Sequence, residues 1–153
     1  MAKYISVLLI AFAVCVAGCE HLFFLTPDAG TLRIESDIIF SLYAEESGCV
    51  TGGGCRATLS MRTTNIYSCC NYTVETSVSK RPGELTVTLL RVRLPDICLT
   101  ALGPARSSLE LDISYRDFVL KFRNEDQIDS YAVSVTDTAL VLTEIVSTFT
   151  ALE

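Results

Sequence analysis

Residues 32–43 have the sequence LRIESDIIFSLY, and this stretch decides the fold class because side chains of similar character recur at every second position. The apolar and small members of that set are Leu32, Ile34, Ser36, Ile38, Phe40 and Leu42. Successive side chains of a β-strand point to opposite faces, so this alternation predicts a strand with one apolar face. Such a strand needs partner strands from elsewhere in the chain.

Further runs of β-forming residues predict those partners. They lie at residues 56–62, 72–76, 85–94, 109–113, 118–122 and 131–135, with one or two more strands in residues 139–149. Pro82-Gly83 predicts a turn and Gly103-Pro104 predicts a loop. The runs at 109–113, 118–122 and 131–135 are separated by connections that suit antiparallel hairpins. A helix over Thr138–Ile145 is the alternative for the tail. The pattern predicts an all-β domain, either a disulfide-stapled antiparallel β-sandwich or a small closed barrel.

Composition limits the possible partners of the chain. It has 153 residues, of which 50% are apolar and 20% are charged, with a net charge of −6. This length suits one domain, and the apolar content is too high for a disordered chain. Nucleic acid is an unexpected partner because its binding depends on Lys and Arg that neutralise phosphates. An anionic membrane surface would not attract the chain by charge either.

The N-terminus has the features of an export signal. Met1-Ala2-Lys3 is a short positive start, and Tyr4–Ala17 is apolar almost throughout. A transmembrane helix needs about 20 apolar residues, and this run stops before Glu20. We therefore expect residues 1–18 to be a signal peptide, residues 19–30 to be an anchor and short linker, and residues 31–153 to form a single β domain.

The end of the signal, Val16-Ala17-Gly18-Cys19, resembles the lipobox of bacterial lipoprotein precursors. The resemblance implies cleavage before Cys19, a diacylglycerol on its thiol and acylation of its amino group. Several acyl chains together hold a protein stably on a membrane. What the resemblance implies is therefore an exported protein anchored by lipid in the bacterial cell envelope, with the membrane as one partner.

Ordinary cleavage after Ala17 or Gly18 is the alternative, and it would leave a soluble secreted recognition domain. Cysteine parity favours this alternative, because six of the seven cysteines lie outside the signal and could close three disulfides. The six are Cys19, Cys49, Cys55, Cys69, Cys70 and Cys98. If Cys19 carries lipid instead, one of the other five remains a free thiol. Asn71-Tyr72-Thr73 is a glycosylation acceptor if the source is eukaryotic.

The predicted disulfides follow from the spacing of the cysteines. Cys49 and Cys55 flank Gly52, Gly53 and Gly54, which lets a small ring turn, and we expect these two cysteines to bond. The glycines then form either a stapled hairpin tip or a binding loop with bare backbone amides. Cys98 is expected to bond one member of the Cys69-Cys70 pair, since neighbours on a strand face opposite ways. Zinc is disfavoured because no C-x₂-C knuckle is present.

Catalytic and metal-binding residues are sparse. The single His21 lies beside the proposed anchor, where a packed catalytic cleft is not expected. Residues 124–129 (NEDQID) cluster oxygen ligands, but Ile128 breaks the calcium-loop pattern, so a solvated acidic turn is expected. The pairs Arg56/Arg62 and Arg91/Arg93 are expected on exposed faces opposite Asp and Glu.

These observations favour a non-enzymatic module, lipid-anchored at the envelope, with a binding or structural role and no cofactor. Its further partner, a protein or a glycan, is not specified by the sequence. An envelope hydrolase that uses Asp or Glu is a weaker alternative, because carboxylate chemistry does not require His.

Overall fold

The computed structural model describes residues 30–49, 55–136 and 139–153, and for residues 45–49 it describes the backbone alone. Ten β-strands account for its regular structure, and these ranges contain no helix. The strands are β1 (Thr31–Leu32), β2 (Ile38–Cys49), β3 (Cys55–Tyr67), β4 (Thr73–Arg81), β5 (Glu84–Arg93), β6 (Gly103–Ile113), β7 (Asp117–Asn124), β8 (Gln127–Val135), β9 (Leu140–Val146) and β10 (Thr150–Leu152). The all-β prediction is confirmed. No helix in the described ranges is long and apolar enough to cross a membrane.

The strands form one sheet in the order β10-β2-β3-β6-β4-β5-β7-β8-β9, with β1 paired to β5. Most neighbours are antiparallel, but β10–β2, β4–β6 and β5–β7 are parallel. The β4–β6 pairing consists of the single residue pair Thr73 and Arg106, so the sheet has two halves joined by a narrow link. The sheet curls into a half-barrel.

The mixed sheet differs from the predicted antiparallel sandwich or closed barrel. The expected hairpin between residues 109–113 and 118–122 is wrong, because β6 pairs with β3 while β7 pairs in parallel with β5. The short connection between β6 and β7 therefore passes from one half of the sheet to the other. The hairpin between β7 and β8 is confirmed, with a turn at residues 125–126. Connection length alone does not distinguish these two cases.

Residues 32–43 alternate between buried and more exposed positions from Ile34 onward, but they do not form one continuous strand. Regular pairing of β2 begins only at Ile38, since residues 33–37 run from β1 on one half of the sheet to β2 on the other. Ile34 and Ser36 are nevertheless buried, in phase with Ile38 and Phe40. Leu32 is the exception, with 43% of its surface exposed. The predicted apolar face is therefore correct from Ile34 onward.

Other boundaries also differ from the prediction. Gly103-Pro104, predicted to form a loop, begins β6, and the helix alternative for the tail is wrong because β9 occupies Leu140–Val146. The Pro82-Gly83 turn is confirmed between β4 and β5. Gly83 has a backbone φ angle of 70°, which residues that carry a Cβ rarely adopt.

Three aromatic rings join the two halves of the sheet in the core. Phe40 on β2 lies 4.5 Å from Phe122 on β7 and 4.9 Å from Tyr131 on β8, measured between ring centroids. Each of the three side chains is at most 1% exposed. Tilted and edge-on ring pairs of this kind add about 0.5–1.5 kcal/mol each beyond the burial of their area. Side-chain packing of these rings therefore connects the two halves of the sheet across the core.

A buried carboxylate holds the segment between β9 and β10. Asp129 is 0% exposed. It accepts five hydrogen bonds, from the backbone N–H groups of Thr148, Phe149 and Thr150 and from the hydroxyls of both threonines, at 2.6–2.9 Å. Burial raises the pKa of Asp129, but these hydrogen bonds outweigh it and leave the pKa below its ordinary value. The prediction of a solvated acidic turn is therefore wrong for this residue.

Candidate interaction surface

The chain enters the described domain beside the loop that follows β5. β1 is antiparallel to β5, with Thr31 opposite Arg93 and Leu32 opposite Val92. The N–H of Leu94 donates to the carbonyl oxygen of Gly30 at 2.8 Å. Because the two segments run in opposite directions, the chain before Gly30 joins the domain at the end where the loop of residues 94–102 begins.

A disulfide ties this loop to the turn between β3 and β4. Cys69 and Cys98 are bonded, with their Cα atoms 5.3 Å apart. This confirms the prediction that Cys98 pairs with one member of the Cys69-Cys70 pair and identifies Cys69 as that member. Cys69 is buried, whereas Cys98 lies on the exposed loop. The bond therefore holds an exposed loop directly to a core residue.

Asn71 holds the same loop by hydrogen bonds. Its Nδ2 donates to the carbonyl oxygen of Ile97 at 2.8 Å, and its Oδ1 accepts from the N–H of Leu99 at 3.2 Å. Within the loop, the N–H of Ala101 donates to the carbonyl oxygen of Leu99 at 2.8 Å. The amide of Asn71 thus takes the place of a strand partner for residues that have none.

Cys70 is the free thiol among the described cysteines. It packs against Gly103 so closely that a Cβ on that glycine would lie 2.9 Å from the Cβ of Cys70. Side chains of real proteins do not approach so closely, so the first residue of β6 has to be glycine for this contact. The two adjacent cysteines therefore have different roles, because Cys69 forms the disulfide and Cys70 packs against the backbone of Gly103.

The loop presents large aliphatic side chains to solvent. Ile97 is 77% exposed, Leu99 54% and Leu102 76%. Ile66, which is 62% exposed, pairs with Pro104 in the β3–β6 ladder and so lies at the same end of the sheet. We call these four residues the apolar end surface. Scattered exposed leucines are normal, but a group of this kind at one end of the sheet is a candidate interaction surface.

Several predicted site residues fall outside the described part of the chain. Cys19 and the three glycines Gly52, Gly53 and Gly54 lie there. Cys55 is disulfide-bonded, and its backbone lies directly opposite that of Cys49, its predicted partner. The side chain of Cys49 is not among those described.

A polar groove of about 570 Å³ lies between residues 33–37, the β7–β8 turn and residues 148–149. Glu35, Asp37, Glu125 and Asp126 contribute carboxylates to its lining. Glu125 is ion-paired with Arg33. Among the described residues, no group of three or more His, Cys, Asp or Glu side chains is arranged to hold a metal ion. The oxygen-rich segment of residues 124–129, predicted to be a solvated acidic turn, is thus divided between this groove and the buried Asp129.

The exposed arginines pair with carboxylates, as predicted. Glu75 accepts from Arg91 at 2.6 Å and lies 3.7 Å from Arg93. The hydrogen bond from Arg91 is the main reason that the pKa of Glu75 lies below its ordinary value. On the other half of the sheet, Arg56 lies 3.9 Å from Asp112 and Arg62 lies 3.1 Å from Glu153. Each of these four arginines therefore has a carboxylate partner, and Arg91 and Arg93 share Glu75.

A hydrogen bond from Lys121 lowers the pKa of Glu84 in the same way. The two residues lie on the neighbouring parallel strands β5 and β7. This carboxylate is therefore held as a charged partner of a lysine, which is a structural role on the sheet surface.

No family model matches the chain, and neither the curated proteins nor the solved structures contain a match. Its function is therefore inferred from its own residues and geometry.

The apolar end surface is not predicted from the sequence, because only the disulfide of Cys98 is expected in residues 94–102. A signal is present, since Pro95 and Gly103-Pro104 flank three aliphatic residues that belong to no predicted strand. Aliphatic residues that cannot enter the core through a strand are candidates for exposure.

Proposed function

We propose that this protein is a non-enzymatic module of the bacterial cell envelope, anchored by lipid on Cys19, with a β-sandwich-type body that has a binding or structural role. The lipobox-like sequence Val16–Cys19 supports the anchor. The sandwich-type body is supported by the packing of Phe40 on one half of the sheet against Phe122 and Tyr131 on the other.

The observation that carries the proposal is where the chain joins the domain. Gly30 lies 11 positions after Cys19 and is hydrogen-bonded to Leu94 at one end of the sheet. A fully extended chain spans at most about 3.6 Å per residue, so this tether reaches no further than about 40 Å. An anchor at Cys19 therefore tethers the domain to the bilayer at that end.

The test compares Cys19→Ser with Cys15→Ser as a matched control within the signal. In cells that express the full chain, Cys19→Ser should lose incorporation of a labelled fatty acid and move to the soluble fraction. Cys15→Ser should remain membrane-bound and labelled. Intact mass of the mature protein should show acylation at an N-terminal Cys19. Continued membrane association of unlabelled Cys19→Ser protein would rule the anchor out.

A soluble secreted recognition domain is the second candidate, and the free thiol of Cys70 favours it. Thr31 and Thr73 lie opposite the same residue, Arg93. The chain therefore enters close to the turn that carries Cys70, and a third disulfide between Cys19 and Cys70 is within reach of the 11-position tether. Non-reducing peptide mapping distinguishes the two candidates. A Cys19–Cys70 peptide supports the secreted form, whereas a labelled thiol at Cys70 together with an acylated Cys19 supports the anchored form.

A further inference from the structure

The apolar end surface is held in an exposed position by contacts that do not cover it. The disulfide and both hydrogen bonds of Asn71 act on Cys98 and on backbone atoms of the loop. The side chains of Ile97, Leu99 and Leu102 remain more than half exposed. A loop fixed in advance loses little conformational entropy when it binds, so the arrangement suits a loop that inserts its side chains into a partner.

The backbone of this loop already makes some of the hydrogen bonds that an apolar environment requires. An unpaired N–H or C=O group is costly in hydrocarbon, where no water replaces the lost hydrogen bond. Here the carbonyl of Ile97 and both backbone groups of Leu99 have partners, from Asn71 and from Ala101. These paired backbone groups therefore cost less to remove from water than unpaired ones would.

The position of the loop indicates which apolar partner it meets. Leu94, where the loop begins, is bonded to Gly30, and the proposed anchor lies 11 positions before Gly30. The end of the domain that is tethered to the bilayer is thus the end that carries the apolar end surface. Asp96 is the only charged residue in residues 94–102, and the net charge of the chain is −6, so attraction to anionic lipids does not explain a contact.

We propose that the apolar end surface, formed by Ile66, Ile97, Leu99 and Leu102, inserts into the interfacial region of the lipid bilayer and fixes the orientation of the domain on it. This inference rests on the proposed lipid anchor, which supplies the proximity. The loop adds a second membrane contact next to the anchor. Its side chains enter by apolar burial, so binding should be insensitive to salt and no tighter to anionic than to zwitterionic lipid.

The chain contains no Trp, so a single introduced Trp reports on its own surroundings. The probe is Leu99→Trp in the full mature protein, and the control is Tyr115→Trp, at an exposed residue in the connection between β6 and β7. With phosphatidylcholine vesicles that carry brominated acyl chains, the emission of the Leu99→Trp variant should shift to the blue and be quenched. The emission of the Tyr115→Trp variant should not change. Leu102→Trp provides a second probe in the same loop.

A substitution tests the energetic role of the surface. In the Cys19→Ser background, which lacks the anchor, Leu102→Ser should weaken partition into phosphatidylcholine vesicles by roughly tenfold, the effect of losing one buried aliphatic side chain. Val78→Ser, at an exposed position on β4, is the matched control and should not change partition. Equal partition of both variants overturns the inference.

The outcomes separate this inference from the proposed function. If mature Leu99→Trp protein is acylated on Cys19 but its emission is not quenched, the loop inference fails and the anchor stands. If Cys19 is not acylated but vesicles quench the emission of the soluble Leu99→Trp protein, the anchor fails and the loop inference stands.

Two other binding partners of the surface would be detected by the Trp emission in the absence of vesicles. A blue shift of the Leu99→Trp emission that grows with protein concentration would assign the surface to a second copy of the chain. A blue shift that is present in the monomer would assign it to the chain's own apolar residues Leu22–Leu25. Either result overturns the lipid contact.

Discussion

Two irregular segments of this protein are held in place by different interactions. Residues 147–149, between β9 and β10, are held from inside by the buried carboxylate of Asp129. The loop of residues 94–102 is held from its side by the Cys69–Cys98 disulfide and by Asn71. The first device draws its segment into the core, and Phe149 is buried as a result. The second fixes the backbone and leaves Ile97, Leu99 and Leu102 in solvent.

The difference shows what each device can do. Asp129 is itself buried, and the donors on Phe149 and Thr150 lie in the core beside it. A disulfide needs no burial of the groups around it, and much of its effect falls on the unfolded chain. An exposed apolar loop is therefore compatible with a covalent staple.

The largest expected effect is the loss of the internal carboxylate. Asp129→Asn replaces an acceptor of five hydrogen bonds by a neutral group that can accept fewer and carries a donor that must be placed. We expect a loss of about 4 kcal/mol in the free energy of unfolding, measured by chemical denaturation. Asp126→Asn, at an exposed residue of the turn that precedes β8, should change stability by less than about 0.5 kcal/mol. Similar effects of the two substitutions would contradict the role assigned to Asp129.

The same carboxylate makes stability depend on acid. Because the pKa of Asp129 is below its ordinary value of 3.8, its contribution is fully present above that value and is lost as pH falls through the lower, folded-state pKa. The difference in stability between the wild type and Asp129→Asn should therefore shrink below about pH 4. A difference that stays constant from pH 7 to about pH 3 would show that the carboxylate is not held in its charged form.

The second effect concerns the covalent staple. The double variant Cys69→Ser/Cys98→Ser opens a loop with a sequence separation of 29 and should lower the free energy of unfolding by about 3–4 kcal/mol on the chain-entropy estimate. Unlike Asp129→Asn, it should leave the packing of Phe149 unchanged, and the loss should not depend on pH in the acid range. Cys70→Ser is the control with an intact disulfide. If it costs as much as the double variant, the loss does not come from the disulfide and the staple is not what stabilises the loop.

The smallest effect concerns Asn71. Asn71→Ala removes two hydrogen bonds at the exposed loop and should cost about 1 kcal/mol globally. Locally, hydrogen exchange at the amide of Leu99 should accelerate by roughly tenfold, since about 1.4 kcal/mol of lost protection corresponds to that factor. Asn65→Ala, at an exposed position on β3, should change neither quantity. Unchanged exchange at Leu99 would mean that the disulfide alone orders the loop.

The candidate surface could be predicted only in part. The bond of Cys98 to one of the two adjacent cysteines was predicted correctly, although these cysteines lie in the turn between β3 and β4 and not on a strand. The exposure of Leu99 and Leu102 did not follow, since aliphatic residues are by default expected inside. It depends on how Asn71 and the disulfide hold the loop, and both contacts connect residues far apart in the chain.

The sequence by itself determined the β character of the chain and the inward set of the first long strand, from Ile34 to Leu42. Both are local properties, because alternation and β-branching act on neighbouring residues. Only the tertiary structure decided the parallel pairing of β5 with β7 and the burial of Asp129. The donors to Asp129 lie 19 to 21 positions along the chain, and an acidic residue in a polar turn is costly to bury until those donors are in place.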